Sequence, residues 1–315
     1  MLGFLNICKP IGVTSHDVIG TVRKAAKMKH VGHGGTLDPL ATGVLPVALG
    51  SACRLLRYLP GDKVYCAEIL LGKQTDTDDI EGKVLAEHGS ESLPDEAHLR
   101  QCLKQFIGAL DQVPPMYSAV HHQGERLYAM ARAGRTVEAI PSRKVHVHDL
   151  QFLAYMPPLL TVRIACGAGT YIRYIARDLG EMLGCGGCLQ SLVREQAGAF
   201  DINSSLSLPD LRCAADEGKL SQWLISPAQA LSSNNQSVVL PYDAEITRRI
   251  SQGQKLAIES LPDSMRCLLS RAQDEHKLIL AQKDDDLIAV CRIERTAEGP
   301  DLLRAEVVIP DATQT

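Results

Sequence analysis

No run of apolar residues in this chain approaches the ~20 that a membrane-spanning helix requires, so a helical membrane span is excluded. The first ten residues are interrupted by Asn6, Lys9 and Pro10, too soon for the apolar stretch of a secretory signal. There is no phosphate-binding loop of the glycine–lysine kind and no internal repeat, which sets aside P-loop hydrolysis and solenoid architectures. A disulfide framework is missing too. The 10 cysteines are scattered singly, apart from Cys185 and Cys188, and this usage fits a reducing cytoplasm. That lone pair lacks the second set of ligands zinc needs, and it follows a helix end where a catalytic dithiol would open one. No metal and no cofactor are expected. An excess of positive charge is absent as well: the net charge is −4, which excludes a uniformly basic nucleic-acid binder.

What is present is a chain of 315 residues, 45% hydrophobic and 22% charged, the composition of a soluble globular protein with one large domain or a large and a small one. Its charge is polarised along the sequence. Residues 1–57 carry Lys9, Arg23, Lys24, Lys27, Lys29, Arg54 and Arg57 against Asp17 and Asp38, whereas residues 62–100 are acid-rich. One basic and one acidic face would result.

In chain order, residues 7–13 read as a strand closing on a turn at Lys9-Pro10-Ile11-Gly12. Ser15 reads as the N-cap of a helix, with Asp17 in its first turn and Val18, Ile19 and Val22 on its buried stripe. Residues 44–49 contain Pro46 and are expected to form an edge or irregular strand. A strand over 64–71 would place Tyr65 and Ala67 on one face. The loop 72–82 resembles the start of a calcium loop through Asp76, Asp78 and Asp79, but lacks the required glycine and glutamate, so it reads as a solvated turn. A helix is expected over 94–107, strands over 144–153 and 159–166, and a further helix capped by Thr170. Arg173 falls in that helix's first turn, where a cation faces the positive end of the dipole and calls for a partner carboxylate. Residues 121–147 read as a basic arm carrying Arg126, Arg132 and Arg135. After the polar stretch 232–236, short strands are expected at 238–240, 265–271, 277–282, 286–294 and 303–309. This division gives domains over 1–236 and 237–315, the first leaving a folded core if the second is deleted.

The densest chemistry lies in residues 31–47, where Gly32, Gly34, Gly35 and Gly43 surround Asp38, a carboxylate set between Leu37 and Pro39. Glycine there permits unusual backbone and close approach of a ligand. Asp38 is either a turn residue or a reactive group.

The stretch from Gly32 to Pro46 resembles the catalytic motif of the TruB family of tRNA pseudouridine synthases, bacterial type. The resemblance continues in order through Lys9-Pro10-Ile11-Gly12-Val13-Thr14-Ser15, Tyr65, Pro115-Met116-Tyr117-Ser118-Ala119, Gly169-Thr170-Tyr171-Ile172-Arg173 and Leu192-Val193-Arg194 to Phe200. It implies an α+β fold: a catalytic domain with a mixed, mainly antiparallel central sheet flanked by helices, the arm at about 121–147, and a small β-rich PUA-like C-terminal domain. It implies an isomerase acting on uridine 55 in the T-stem–loop of tRNA, with Asp38 as catalytic carboxylate, Arg173 as its ion-pair partner and Tyr65 packed on the target base. His33 would hold the RNA with the base extruded, Tyr171 and Leu192 would line the uracil pocket, and the arm would close over the RNA. A monomer that needs neither cofactor nor membrane is expected. The same surfaces would also serve a non-catalytic tRNA-binding or folding protein.

Overall fold

Residues Gly3–Lys9 carry apolar side chains on both sides of their pleat apart from Asn6 and Lys9, and the strand they form is buried along nearly its whole length. It pairs antiparallel with Thr42–Leu49 in unbroken register, from Gly3 opposite Leu49 to Lys9 opposite Gly43. The computed structural model describes residues 1–113, 121–122, 125–126, 130, 140–232, 237–274, 277–296 and 299–309. The chain divides into two compact units, one of residues 1–60 with 196–315 and the other of residues 61–195.

In the first unit, Thr42–Leu49 also pairs with Val31–His33, with His33 opposite Val47. The edge position expected from Pro46 is therefore not found. Pro46 stands opposite Asn6, and its carbonyl accepts the Gly34 N–H at 2.8 Å, so a residue without a donor still contributes to pairing. Side-chain alternation then sorts the two strands onto two cores. Leu5, Ile7, Leu45, Val47 and Leu49 face Val18, Ile19 and Val22 of the helix Ser15–Ala26. Phe4, Val44 and Ala48 face the opposite way, toward Leu55, Phe200, Leu231, Leu280, Val290 and Val307.

The C-terminal part of this unit holds a five-stranded sheet in the order Ser237–Leu240, Leu278–Lys283, Asp286–Glu294, Leu302–Val308, Leu256–Ala257. Its first pair is parallel and the others antiparallel. The strand expected over 265–271 is instead the helix Asp263–Asp274. Met265, Leu269 and Ala272 are its buried residues, at the i, i+4, i+7 spacing of one helical face. A second helix, Ala244–Ser251, starts where the Asp243 carboxylate accepts the Ile246 N–H at 2.9 Å.

The second unit is built on strands in the order Gly187–Ala197, Lys63–Leu71, Leu159–Cys166, Arg143–Met156, Gly108–Gln112. The pairs from Lys63–Leu71 to Gly108–Gln112 are all antiparallel. Helices Glu96–Leu103 and Ile172–Met182 accompany it. The first is shorter than the expected 94–107 because its last turn tightens into a 3-10 segment, Lys104–Phe106. The architecture is thus α+β with mainly antiparallel sheets and a β-rich C-terminal part. No described helix is long and apolar enough to cross a membrane.

Candidate active site

The helix Ser15–Ala26 is capped by Thr14, not by Ser15. The Thr14 hydroxyl accepts the Asp17 N–H at 3.1 Å and the Asp17 carboxylate accepts the Thr14 N–H at 2.9 Å, a reciprocal box that satisfies two end groups. Hydrogen bonds from the Thr14 side chain and backbone also lower the Asp17 pKa. Ser15, one residue on, turns its hydroxyl to the loop before Asp38. It donates to the Leu37 carbonyl at 3.1 Å and accepts the Leu37 N–H at 2.9 Å.

On the far side of Asp38, the Lys9 ammonium is fully buried and donates to the carbonyls of Pro10 (2.9 Å), Val13 (2.7 Å) and Pro39 (3.3 Å). Pro39 also accepts the Gly12 N–H at 2.9 Å, and the Asp38 carbonyl accepts from Ala41 at 3.0 Å. Leu37 and Leu40 are buried on either side, while Asp38 itself is half-buried. Gly35 and Gly43, at φ of 103° and 99°, supply the left-handed backbone that lets the loop leave one strand and enter the next. Asp38 is therefore a half-buried acid on a loop anchored at both neighbouring peptides. His33 ends the strand that leads into it, half-buried.

In the second unit, Tyr65 is buried on the same strand face as Ala67, Ile69 and Leu71, and pairs across to Ile164. Leu192 and Arg194 are buried on alternate residues of the strand Gly187–Ala197. Arg173 does have a carboxylate partner within this unit. Its guanidinium, 6% exposed, meets the Asp79 carboxylate, 8% exposed, at 3.3 Å, and donates to the Thr77 carbonyl at 3.2 Å. The loop read as a solvated turn is consequently corrected: Asp79 is buried. Its second oxygen accepts from the Thr77 hydroxyl at 2.7 Å and the Glu81 N–H at 3.2 Å, so the carboxylate is fully engaged. The loop is tied to the Leu192 strand as well, through Leu189 N–H to the Asp78 carbonyl at 2.9 Å and Ile80 N–H to the Leu189 carbonyl at 2.9 Å. Burial pushes the neighbouring Asp78 carboxyl up to about 6, against the lowering pull of Arg177 and Arg173.

Tyr171, half-buried, occupies the N-cap position expected of Thr170, with no side-chain cap. The Thr170 hydroxyl instead bonds the Gly167 carbonyl at 3.0 Å. Gln112 takes over the cap's backbone: its amide accepts the Tyr171 N–H at 2.9 Å and donates to the Tyr171 carbonyl at 3.3 Å. Cys185 and Cys188 are fully buried, and burial raises both thiols, Cys188 to about 11, so both stay protonated and act as packing groups.

Of the arm, residues His121–His122 and Glu125–Arg126 pair as a short hairpin, which places the Arg126 backbone. Arg132 and Arg135 lie outside the described residues, as does the motif from Pro115 to Ala119. Sequence reasoning missed Asp79, Gln112, the Ser15 clamp and the buried Lys9 contacts. An available signal for Asp79 was Ile80, an apolar residue in an otherwise acidic loop, which marks a segment that returns to the core.

The model of the family described as TruB family pseudouridylate synthase (N terminal domain) matches residues 23–172. That described as tRNA pseudouridylate synthase B C-terminal domain matches residues 173–244. A tRNA pseudouridine synthase B from Synechocystis sp. is 46% identical over 266 residues, covering 83% of this chain and 88% of the relative. Another from Moorella thermoacetica is 40% identical over 314 residues, covering 98% and 99%. Among solved structures, a chain of a Cbf5-Nop10-Gar1 complex matches with a TM-score of 0.72 at 24% identity, covering 97% of this chain and 84% of that one. At that identity the likeness is one of fold.

Proposed function

The chain belongs to the TruB family of pseudouridylate synthases and is a pseudouridine synthase, and from that premise we propose that it isomerises uridine 55 in the T-stem–loop of tRNA with Asp38 as the reacting carboxylate. The observation that carries the role of Asp38 is its setting: a half-buried acid between two peptides that are anchored by Ser15 on one side and by Lys9 and Gly12 on the other. Such anchoring fixes where a carboxylate can reach, which a turn residue does not need.

The reaction breaks the N1–C1′ bond, turns the uracil and joins C5 to C1′; the C5 proton is lost and N1 gains one, so the product is an isomer. The base has to leave its stack first, which costs a few kcal/mol and calls for an apolar and aromatic slot. In this reading Tyr65 packs on the base, Tyr171 and Leu192 line the slot, and His33 holds the displaced RNA. Arg173 serves as the cationic partner of Asp38 and keeps it ionised, since a nearby guanidinium lowers a carboxylate's pKa. An ionised carboxylate is what nucleophilic attack or proton removal at the sugar or ring requires. Arg126, Arg132 and Arg135 contribute phosphate contacts from the arm. The free thiols support a reducing, cytoplasmic setting, and the protein is taken to act as a monomer.

Incubation with an unmodified tRNA transcript, followed by mapping of pseudouridine, tests the activity and its position. Asp38→Asn is expected to bind tRNA and form no product. Product at position 55 made by Asp38→Asn removes the carboxylate from the chemistry, and product elsewhere removes the substrate assignment. If wild type binds and refolds tRNA without making product, the non-catalytic reading stands in its place.

A further inference from the structure

A carboxylate that reacts from a loop needs its backbone held, because displacement of a reacting group by an ångström costs on the order of 10²-fold in rate. One side chain holds the peptide before Asp38. Ser15 is 2% exposed, and its hydroxyl donates to the Leu37 carbonyl and accepts the Leu37 N–H. A hydroxyl has one proton and two lone pairs, so a single group meets both backbone functions of the residue preceding Asp38. Leu37 is itself buried, which makes these bonds costly to lose.

Two features free Ser15 for this task. The helix it opens is capped by Thr14 through the box with Asp17, so the Ser15 hydroxyl owes nothing to the helix end. Its helix is held by the packing of Val18, Ile19 and Val22 against Leu5, Ile7, Leu45 and Val47 of the sheet. The clamp thus ties a glycine-flanked loop to a helix whose Val18, Ile19 and Val22 are packed in the core. The residues concerned are 22 apart in sequence.

We propose that Ser15 is the positioning residue of the Asp38 carboxylate, setting its direction through the Leu37 peptide without touching substrate. This rests on the reading of Asp38 given above. A helix-capping role would leave the rate of the chemical step untouched; a positioning role puts its effect there.

The test uses the full chain with Ser15→Ala, Ser15→Thr and Asp38→Asn, each assayed for single-turnover pseudouridine formation at saturating enzyme, tRNA affinity and thermal midpoint. Ser15→Ala is expected to slow the single turnover by on the order of 10²-fold while tRNA affinity stays within about threefold. Ser15→Thr, which keeps the hydroxyl, is expected to recover the rate to within about fivefold of wild type. A wild-type rate in Ser15→Ala overturns the proposal, as does a Ser15→Thr variant as slow as Ser15→Ala, or a loss of affinity equal to the loss of rate. Should Ser15→Ala fail to fold, Ser15→Cys is read against the same outcomes; failure of both to fold makes the hydroxyl a folding group and also overturns it. Full activity in Asp38→Asn defeats the reading of Asp38, whatever Ser15 does. An inactive Asp38→Asn beside a fully active Ser15→Ala defeats the positioning role alone.

Discussion

Arg173 and Asp79 hold two charges at 3.3 Å with 6% and 8% exposure. Removing one partner of such a pair leaves the other desolvated, at a cost on the order of 3 kcal/mol. Asp79→Ala is therefore expected to lower stability by about that amount and to slow turnover, whereas Asp79→Asn, which keeps the shape and the bond from Thr77, should lose less. Urea unfolding with a turnover assay measures both; an Asp79→Ala variant with wild-type stability and rate shows the pair to be dispensable. Asp78, beside it, adds a pH dependence. Its carboxyl is pushed up from 3.8 to about 6 by burial, so the native state holds the proton more tightly than the unfolded chain does. That contribution is fully present below the unfolded value and is lost as pH rises through about 6. Asparagine cannot ionise and tolerates the left-handed backbone at this position, φ 61°. The stability of Asp78→Asn relative to wild type is thus expected to grow between about pH 4 and pH 7, and a difference that stays constant across unfolding curves at those two pH values refutes it. These residues also mark how far the sequence could be read. The glycines around Asp38 announce themselves locally. Asp79, Gln112 and Ser15 act on partners 94, 59 and 22 residues away, and no spacing rule reaches that far.

Among elements, the helix Ser15–Ala26 ends on a residue that is conformationally wrong for its place. Lys27 sits in the left-handed region, φ 53° and ψ 38°, where its N–H closes onto the carbonyls of Arg23 and Lys24. A side chain there costs about 1 kcal/mol relative to glycine. Lys27→Gly is expected to return between about 0.5 and 1 kcal/mol of stability, seen as a higher urea midpoint at unchanged slope; a lower midpoint means the lysine side chain contributes more than its strain. The alternation of Tyr65 with Ala67 and the stripe of Val18, Ile19 and Val22 follow directly from the period of strand and helix, and the structure has both. The helix Asp263–Asp274, where the sequence pattern predicts a strand, has a physical reason for the difference. Its run Met265-Arg266-Cys267-Leu268-Leu269 is too short and too apolar to separate the two periods, and only burial of Met265, Leu269 and Ala272 on one face decides for helix. Caps are similarly ambiguous to within one residue: at Thr14 and Ser15 the second hydroxyl is taken by Leu37, and at Thr170 and Tyr171 the first is taken by the Gly167 carbonyl.

At the scale of the whole molecule, polarity along the chain suggested a joint at 232–236 that would let the C-terminal β-rich part be removed. A hydrophobic face, however, does not name its partner in sequence. Leu280, Leu287, Val290, Val307 and Ile309 of that part lie in one cluster with Phe4, Val44, Ala48, Leu55, Phe200 and Leu231. The Arg54 guanidinium adds a bond to the Val308 carbonyl at 3.1 Å. Val44 belongs to the strand that follows the Asp38 loop and Phe4 to the strand paired with it, so the C-terminal part covers one face of the sheet that the loop leads into. Ending the chain at residue 236 strips those side chains of their cover, and each large apolar side chain returned to water forfeits roughly 1.5–3 kcal/mol. Summed over several residues this matches or exceeds the 5–15 kcal/mol by which a domain is stable at all. The truncated chain is accordingly expected to be insoluble or to unfold far below the full chain. Leu280→Ala, a milder wound in the same cluster, is expected to cost about 2–5 kcal/mol and to shift the unfolding of the N-terminal sheet together with that of the C-terminal one. Hydrogen exchange resolved by strand reads this out. If Leu280→Ala loosens only the strands after residue 237 and leaves Gly3–Lys9 and Thr42–Leu49 protected, the shared cluster does not couple the two sheets; if protection falls in both, the C-terminal part is a structural wall of the region that presents Asp38.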